Sequence, residues 1–258
     1  MKIVVLIKEV PDTYGDRKLN LETGLADRAA SERVLDEITE RALEVALKHA
    51  DSNEGVEVRL LSMGPAEATA SIRKGLAMGA GSALQIVDDD LVGADLGLTA
   101  EVLAAALKRE NADLVLAGNL STDGGGGVVP AMVAELLGVP HATGLSDVTI
   151  TADAVSGTRG SDAGSLQVTA PLPAVVSITE ALPDARFSSF KGIMAAKKKP
   201  FDTIALDELG VAALDPAAAR TIMTAVAEKP PRQAGVKIVD EGDGAEQLAD
   251  FLASNKLV

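Results

Sequence analysis

The sequence has no cysteine and no tryptophan, a single tyrosine, four phenylalanines and two histidines in 258 residues. Without cysteine there is no disulfide framework, no thiolate metal site and no thiol nucleophile. With only His49 and His141, a histidine-rich zinc site is not expected. Positive charge is also scarce: 24 Lys and Arg stand against 38 Asp and Glu, a net charge of -14, which argues against general nucleic-acid binding. No apolar run reaches the roughly 18 residues that span a bilayer. The opening Met-Lys-Ile-Val-Val-Leu-Ile-Lys lacks the length and cleavage site of a secretory signal and reads as a first strand. A cytoplasmic protein is the expectation. At 47% hydrophobic, the chain has the apolar content to fold as one large α/β domain, or one domain plus an appendage.

What is present alternates between strand and helix. Residues 2–8 form a near-continuous Val/Ile-rich run, the pattern of a strand buried on both faces. From Leu35 to Lys48, Leu35, Ile38, Ala42 and Val45 recur at helical spacing. Strands are expected at 56–62, 83–87 and 113–117. A helix with Pro65 in its first turn and Gly79 past its end, and another over 98–109, fall between them. This order predicts a Rossmann-like, mostly parallel sheet with helices on both faces. Short β segments at 144–151, 154–159 and 165–169 read as hairpins added at one edge, and 174–178 returns to buried strand character. Beyond Phe201, Asp215-Pro216 and Glu228-Lys229-Pro230-Pro231 interrupt the apolar content. Residues 1–200 are therefore expected as the domain and 201–258 as a C-terminal arm, closed by a short helix carrying Leu248, Phe251 and Leu252.

A first chemical signal follows the strand at 113–117: Gly118, Asn119, Leu120, Ser121, Thr122, Asp123, four glycines at 124–127, then Val128, Val129 and Pro130. A buried strand running through a Gly-rich turn into a helix offers backbone N–H groups at the positive end of a helix dipole, a plausible phosphate cradle. The alternative is a flexible loop that needs positive φ angles. No Lys follows the glycines as in a nucleotide-hydrolysing P-loop, and Val129 stands where a dinucleotide fingerprint would have its last Gly, so a bound nucleotide is expected to be held rather than hydrolysed. Asp123 reads as a helix N-cap in preference to a general base. There is no G-x-S-x-G elbow, His49 and His141 have no evident partner, and Asp88-Asp89-Asp90 reads as a solvated loop.

A second signal spans 180–200. Phe187 and Phe190 sit beside Ile193 and Met194, among Pro183 and Gly192 and next to Lys197, Lys198 and Lys199. Large apolar residues between turn formers and local positive charge suggest a loop that presents anchors to a partner; the bland alternative tucks both rings into the core. A hydrophobic anchor on a mobile tether would give modest-affinity docking, with the lysines either steering acidic partners or forming a simple solvated charge run.

The co-linear motifs V-L-I-K-E-V-P-D, L-D-E-I-T-E-R-A-L-E at 35–44, S-M-G-P-A at 62–66, I-R-K-G-L-A-M-G-A at 72–80, the 117–127 glycine loop, P-A-V-V-S-I-T at 173–179 and R-F-S-S-F-K-G-I-M-A-A-K-K-K-P together resemble the β subunit of electron transfer flavoprotein in its bacterial, FixA-related form. The resemblance runs through the chain. It implies an electron carrier rather than an enzyme, working as a heterodimer whose α subunit holds most of an FAD while the β subunit buries an AMP. The implied AMP site is Leu6, Arg33, Val34, Leu35, Asp36, Met63, Asn119, Leu120, Ser121, Thr122, Asp123, Gly124, Gly125, Gly126, Gly127, Val128 and Val129. The implied docking residues are Arg186, Phe187, Phe190, Ile193, Met194, Lys197, Lys198 and Lys199, with Phe190 at the anchor position. Flavin-dependent dehydrogenases such as acyl-CoA dehydrogenases are the implied electron donors, and a branch of the family carries a second FAD in place of AMP for bifurcation. A stand-alone nucleotide-binding regulator of the universal-stress type is the competing reading; it leaves the Phe190 loop and the arm unexplained.

Overall fold

The computed structural model describes residues 1–15, 17–215, 217–232 and 234–258; Pro216, expected to help break the apolar content of the arm, lies outside them. In chain order the elements are β1 (Lys2–Leu6), β2 (Glu9–Pro11), β3 (Arg33–Leu35), α1 (Glu37–Ser52), β4 (Glu57–Met63), α2 (Thr69–Met78), β5 (Ser82–Ile86), α3 (Leu96–Glu110), β6 (Leu114–Gly118), α4 (Val129–Leu137), β7 (His141–Leu145), β8 (Thr149–Ile150), β9 (Ala154–Ser161), β10 (Gly164–Pro171), β11 (Ala174–Ile178), α5 (Phe190–Ala196), β12 (Phe201–Ile204) and α6 (Gly244–Ser254).

The main sheet has the order β10-β9-β7-β11-β6-β1-β4-β5-β12, with β8 on β9. All pairings from β7 through to β12 are parallel, and those of β8, β9 and β10 are antiparallel. This is the mostly parallel α/β sheet that the alternating runs implied. The apolar runs exist because their strands feed two cores. Ile3 and Val5 of β1, with Leu114 and Leu116 of β6, point to a core shared with α1 and α2. The intervening Val4, Leu6, Val115 and Ala117 point to a second core built with α3 and α4. A strand covered on both faces has no polar side to show, so alternation disappears.

Several boundaries differ from the sequence reading. Leu35 ends β3, paired with Glu9 of β2, because residues 33–35 exchange ladder hydrogen bonds with 9–11; the helix starts only at Glu37. Pro65 precedes a short 3₁₀ turn at Ala66–Ala68 rather than sitting in the first turn of α2. The segment expected at 144–151 divides: Leu145 closes β7, which runs parallel to β11 inside the main sheet, and only β8 to β10 are added antiparallel strands. Residues 201–204 are not arm but an edge strand, since β12 completes the parallel ladder of β5. The chain just beyond is also tied to this body, with Arg220 donating to both oxygens of Glu101 at 2.9 and 2.7 Å and the Thr221 amide donating to Asp95 at 2.6 Å. Two compact units result, residues 1–225 and 226–258. The second contains α6, on which Leu248 and Phe251 are exposed. No helix among the described residues is long and apolar enough to cross a membrane.

Candidate functional site

After β1 the chain steps outward through β4 and β5, then returns to place β6 on the other side of β1. The strand order therefore reverses between β1 and β6, the position at which open α/β sheets leave a crevice outside the carboxyl ends of their strands. Leu6 ends β1, Met63 ends β4 and residues 119–129 leave β6, so these sequence-selected positions come to one edge of the sheet. Arg33, Val34 and Leu35 reach it as a strand, and Asp36 as the residue preceding α1.

A charged cluster organises the glycine loop. Lys8, two residues past Leu6, donates to Asp123 Oδ1 at 2.7 Å and to Ser121 Oγ at 3.2 Å. Arg28 donates to Asp123 Oδ2 at 2.9 Å. Arg17 donates to the Thr122 carbonyl and, at 3.3 Å, to that of Pro11. The Asp123 side chain is only 6% exposed. Burial pushes its carboxyl up, but Lys8, with Ser121 and Arg28, outweighs this and holds it well below the usual carboxylate range. Asp123 is thus not the N-cap of α4. Four glycines separate it from Val128, which occupies that place without a side-chain cap.

Beneath the loop lies Asp36, 1% exposed. Its Oδ2 accepts the Thr122 amide at 2.9 Å. Among the described residues its Oδ1 has no hydrogen-bond partner within normal geometry, although the Ile38 amide lies near enough to favour the charged form. Burial dominates and raises its pKa, and the Asp123 charge adds to the rise. Arg33 pairs with Glu9 at 3.6 Å, and Glu9 also accepts from Ser71 at 2.6 Å. Around the loop, three cations (Lys8, Arg17, Arg28) therefore face two carboxylates.

The loop spends some of its amides on itself. Gly124 N–H donates to Asp123 Oδ1 at 2.7 Å and Gly125 N–H to the Ser121 carbonyl at 2.9 Å, while Leu120 N–H is taken by Asn119 Oδ1 at 2.9 Å. Among the described residues, the amides of Gly126, Gly127 and Val128 have no protein partner. They lead directly into α4, at the positive end of its dipole. Gly125 and Gly127 have φ of 60° and 67°, and a side chain added at Gly125 would meet nothing within 4 Å. A short anion fits here: open backbone donors, neighbouring cations and room above the turn. Gly118 serves the opposite purpose, since a Cβ there would lie 2.6 Å from Ile38, so α1 packs directly on the end of β6.

The 180–200 segment follows β11, the strand next to β6. Phe187 is 98% exposed and Phe190 80%, with Ile193 and Met194 about half exposed beside them. From Phe190 the chain forms α5, capped by Ser189 Oγ accepting the Gly192 amide at 3.0 Å. All four apolar docking residues thus face outward, Phe190, Ile193 and Met194 on an ordered turn of helix rather than a free tether and Phe187 just before it. Lys197 and Lys198 are exposed. Lys199 is not available for steering: its ammonium donates to the Leu76 and Ala80 carbonyls at 2.8 and 2.7 Å, closing the end of α2, and burial lowers its pKa. Arg186 also turns inward, to Glu44 and Asp51 of α1.

Residues 23–209 match the electron transfer flavoprotein domain model. The electron transfer flavoprotein subunit beta of Mycobacterium tuberculosis is 45% identical to this chain, with 99% of each chain covered. This chain belongs to the electron transfer flavoprotein β-subunit family. The subunit beta of Bacillus subtilis is 31% identical over 98% of this chain and 96% of its own. The caffeyl-CoA reductase-Etf complex subunit CarD of Acetobacterium woodii is 34% identical over 82% of this chain and 80% of its own. Membership places the chain among electron transport flavoproteins and implies an α subunit as its partner. It also sets aside the stand-alone regulator.

Sequence reasoning missed Lys8, Arg17 and Arg28, the cations that shape the loop. Lys8 carries a usable signal, a charge directly after the apolar run of residues 3–7. Arg17 and Arg28 sit in a polar connection with no pattern to mark them, and only the fold brings Arg28 to a residue 95 positions away.

Proposed function

We propose that this chain is the β subunit of a heterodimeric, cytoplasmic electron transfer flavoprotein that carries electrons from flavin-dependent dehydrogenases, acyl-CoA dehydrogenases among them, to a downstream acceptor. The observation that carries the reading is the glycine turn at the strand-order switch point, where, among the described residues, the amides of Gly126–Val128 have no protein partner and Lys8 braces the turn through Ser121 and Asp123. These groups suit the phosphate of an AMP. The ends of β1 and β4, at Leu6 and Met63, would wall its base, and Asp36 holds the loop from below through the Thr122 amide. FAD, held mainly by the α subunit, supplies the redox chemistry when bound. The task of this chain is to fix the crevice, the docking loop and the partner's position, with residues 226–258 as the arm that wraps the α subunit. The match to CarD favours a second reading, in which the same crevice takes a second FAD and the complex bifurcates electrons.

Denaturing the purified heterodimer and identifying the released nucleotides separates these readings. One FAD and one AMP per heterodimer is the expected result. Two FAD and no AMP establishes the bifurcating form, and a single FAD with no second nucleotide refutes both readings of the crevice.

A further inference from the structure

The exposed rings of the 180–200 segment stand on backbone that is fastened from both sides. On the α1 side, Arg41 donates to the Leu182 carbonyl and to Asp184. Arg186 donates to Glu44 three times, from its backbone N–H at 3.1 Å, from Nε at 2.7 Å and from Nη2 at 3.2 Å, and reaches Asp51 at 2.8 Å. On the α2 side, Arg73 donates to the Ala196 carbonyl at 2.8 Å, Lys199 closes α2, and Gly192 sits where a Cβ would lie 2.3 Å from the Ala77 carbonyl oxygen.

We propose that residues 180–200 form a preformed docking strap in which the Arg186–Glu44 ion pair is the positioning element, so that Arg186 sets the place of the Phe187–Phe190 crest and does not itself touch the redox partner. The proposal rests on the docking role given to this segment above. Glu44 is 6% exposed, on the inward side of α1. A carboxylate there is costly unless it is both paired and hydrogen-bonded, which makes a purely decorative ion pair a poor account of it. Arginine suits the position because its planar fork engages both Glu44 oxygens while Nη2 also reaches Asp51, a bidentate geometry that a lysine ammonium does not reproduce. The backbone contact completes the pin: with the side chain holding Glu44 in place, the Arg186 N–H also binds it and fixes the main chain one residue before Phe187. Between this pin and the Gly192 seat on α2 only a few residues remain, and they carry Phe187 and Phe190.

The crest then meets its partner already ordered, and the entropy of ordering it falls on folding of this chain rather than on each encounter. The exposed charges that follow Phe187 on the strap, Lys191, Lys197 and Lys198, are all positive in a chain of net charge -14, while Asp184 and Asp51, exposed acids on its other side, are paired with Arg41 and Arg186. The surface therefore fits a dehydrogenase face with an apolar pocket and an acidic rim.

The test uses the assembled heterodimer, with an acyl-CoA dehydrogenase and its acyl-CoA as the electron source. Glu44→Leu combined with Arg186→Met removes both charges and leaves no buried one uncompensated, since Asp51 and Lys48, which each lose a partner, are more than half exposed. KM for the flavoprotein is expected to rise about tenfold, the equivalent of ordering one or two side chains on binding. kcat should stay within about twofold, and bound nucleotide should be unchanged. Amide exchange over 187–191 should quicken. Arg186→Lys, which keeps the charge and loses the fork, should fall between the two proteins. An unchanged KM in the folded double variant, or a fall in kcat with KM held, overturns the positioning role. If the double variant does not assemble, Arg186→Lys decides, a rise in KM supporting the proposal and none overturning it. Phe190→Ala serves as the reference: if it leaves KM unchanged, the docking reading itself fails, whereas a raised KM there beside an unchanged double variant removes only the positioning claim.

Discussion

Two loops leave neighbouring parallel strands at the same edge of the sheet, residues 119–129 after β6 and 180–200 after β11, and they are built in opposite senses. The first turns an acidic side chain inward: Asp123 is held between Lys8 and Arg28, and the chain above it exposes bare backbone amides. The second turns Arg186 and Lys199 inward, onto Glu44 and onto the carbonyls of α2, and leaves aromatic rings and three lysines outside. The lesson is that what a loop offers to the outside depends on which of its groups find ionic partners within. Glycines let the first loop present main chain, and a cap at Ser189 with a glycine seat at Gly192 lets the second present side chains.

The largest expected effect comes from the seat of the second loop. Gly192→Ala forces a Cβ against the Ala77 carbonyl oxygen and should cost about 3 kcal/mol, the upper range for overpacking a rigid neighbour. Thermal unfolding measures the loss, and the released nucleotides should be unchanged because the other loop is untouched. Joint loss of nucleotide would mean that the two loops form one cooperative unit.

A smaller effect is expected at the first loop. Asp123→Ala deprives Lys8 and Arg28 of their shared carboxylate. Because both cations are about one-third exposed, the cost should be about 2 kcal/mol rather than the full penalty of a buried pair. Urea unfolding gives the magnitude. The KM for the dehydrogenase should not move, and a shift comparable to that of Phe190→Ala would break the separation drawn here.

The smallest effect is a sign reversal with pH inside the first loop. Asp36 has its folded pKa raised, so its charged form carries a cost that is present at neutral pH and relieved as pH falls through the folded value. Asp123 has its folded pKa depressed, so its contribution is complete above the unfolded carboxylate value of about 3.9 and is lost only as pH falls through the folded one. Acidification from neutral to about pH 5 should therefore leave the Lys8–Asp123–Arg28 cluster intact. Carboxyl NMR should show Asp36 titrating above the normal aspartate range and Asp123 below it. The reverse order would contradict the arrangement of charges.

Much of the fold was written in local pattern. The Val/Ile run of β1, the 174–178 run of β11, and Pro130 with Gly138 bracketing α4 were readable because burial on both faces and helix ends leave signatures within a few residues. The docking loop showed itself through composition, as two of four phenylalanines beside a lysine run. Leu35 misled because its spacing to Ile38 and Ala42 satisfies helical periodicity while its backbone is claimed by Glu9 in β2. Phe201–Ile204 misled for a related reason: four residues without alternation become a strand only because β5 offers a free edge.

The sequence by itself determined the parallel α/β class, the glycine loop at a strand end, the apolar crest and the family to which they belong. The tertiary structure alone decided how each loop is held. Asp123 meets Lys8 across 115 positions, and Arg186 meets Glu44 across 142. Such pairs are set by the order in which crossovers stack strands side by side, and no periodicity over a turn or two of helix can carry that information. The same topology turned Lys199 from a steering charge into the lock on α2, and placed the switch in strand order between β1 and β6.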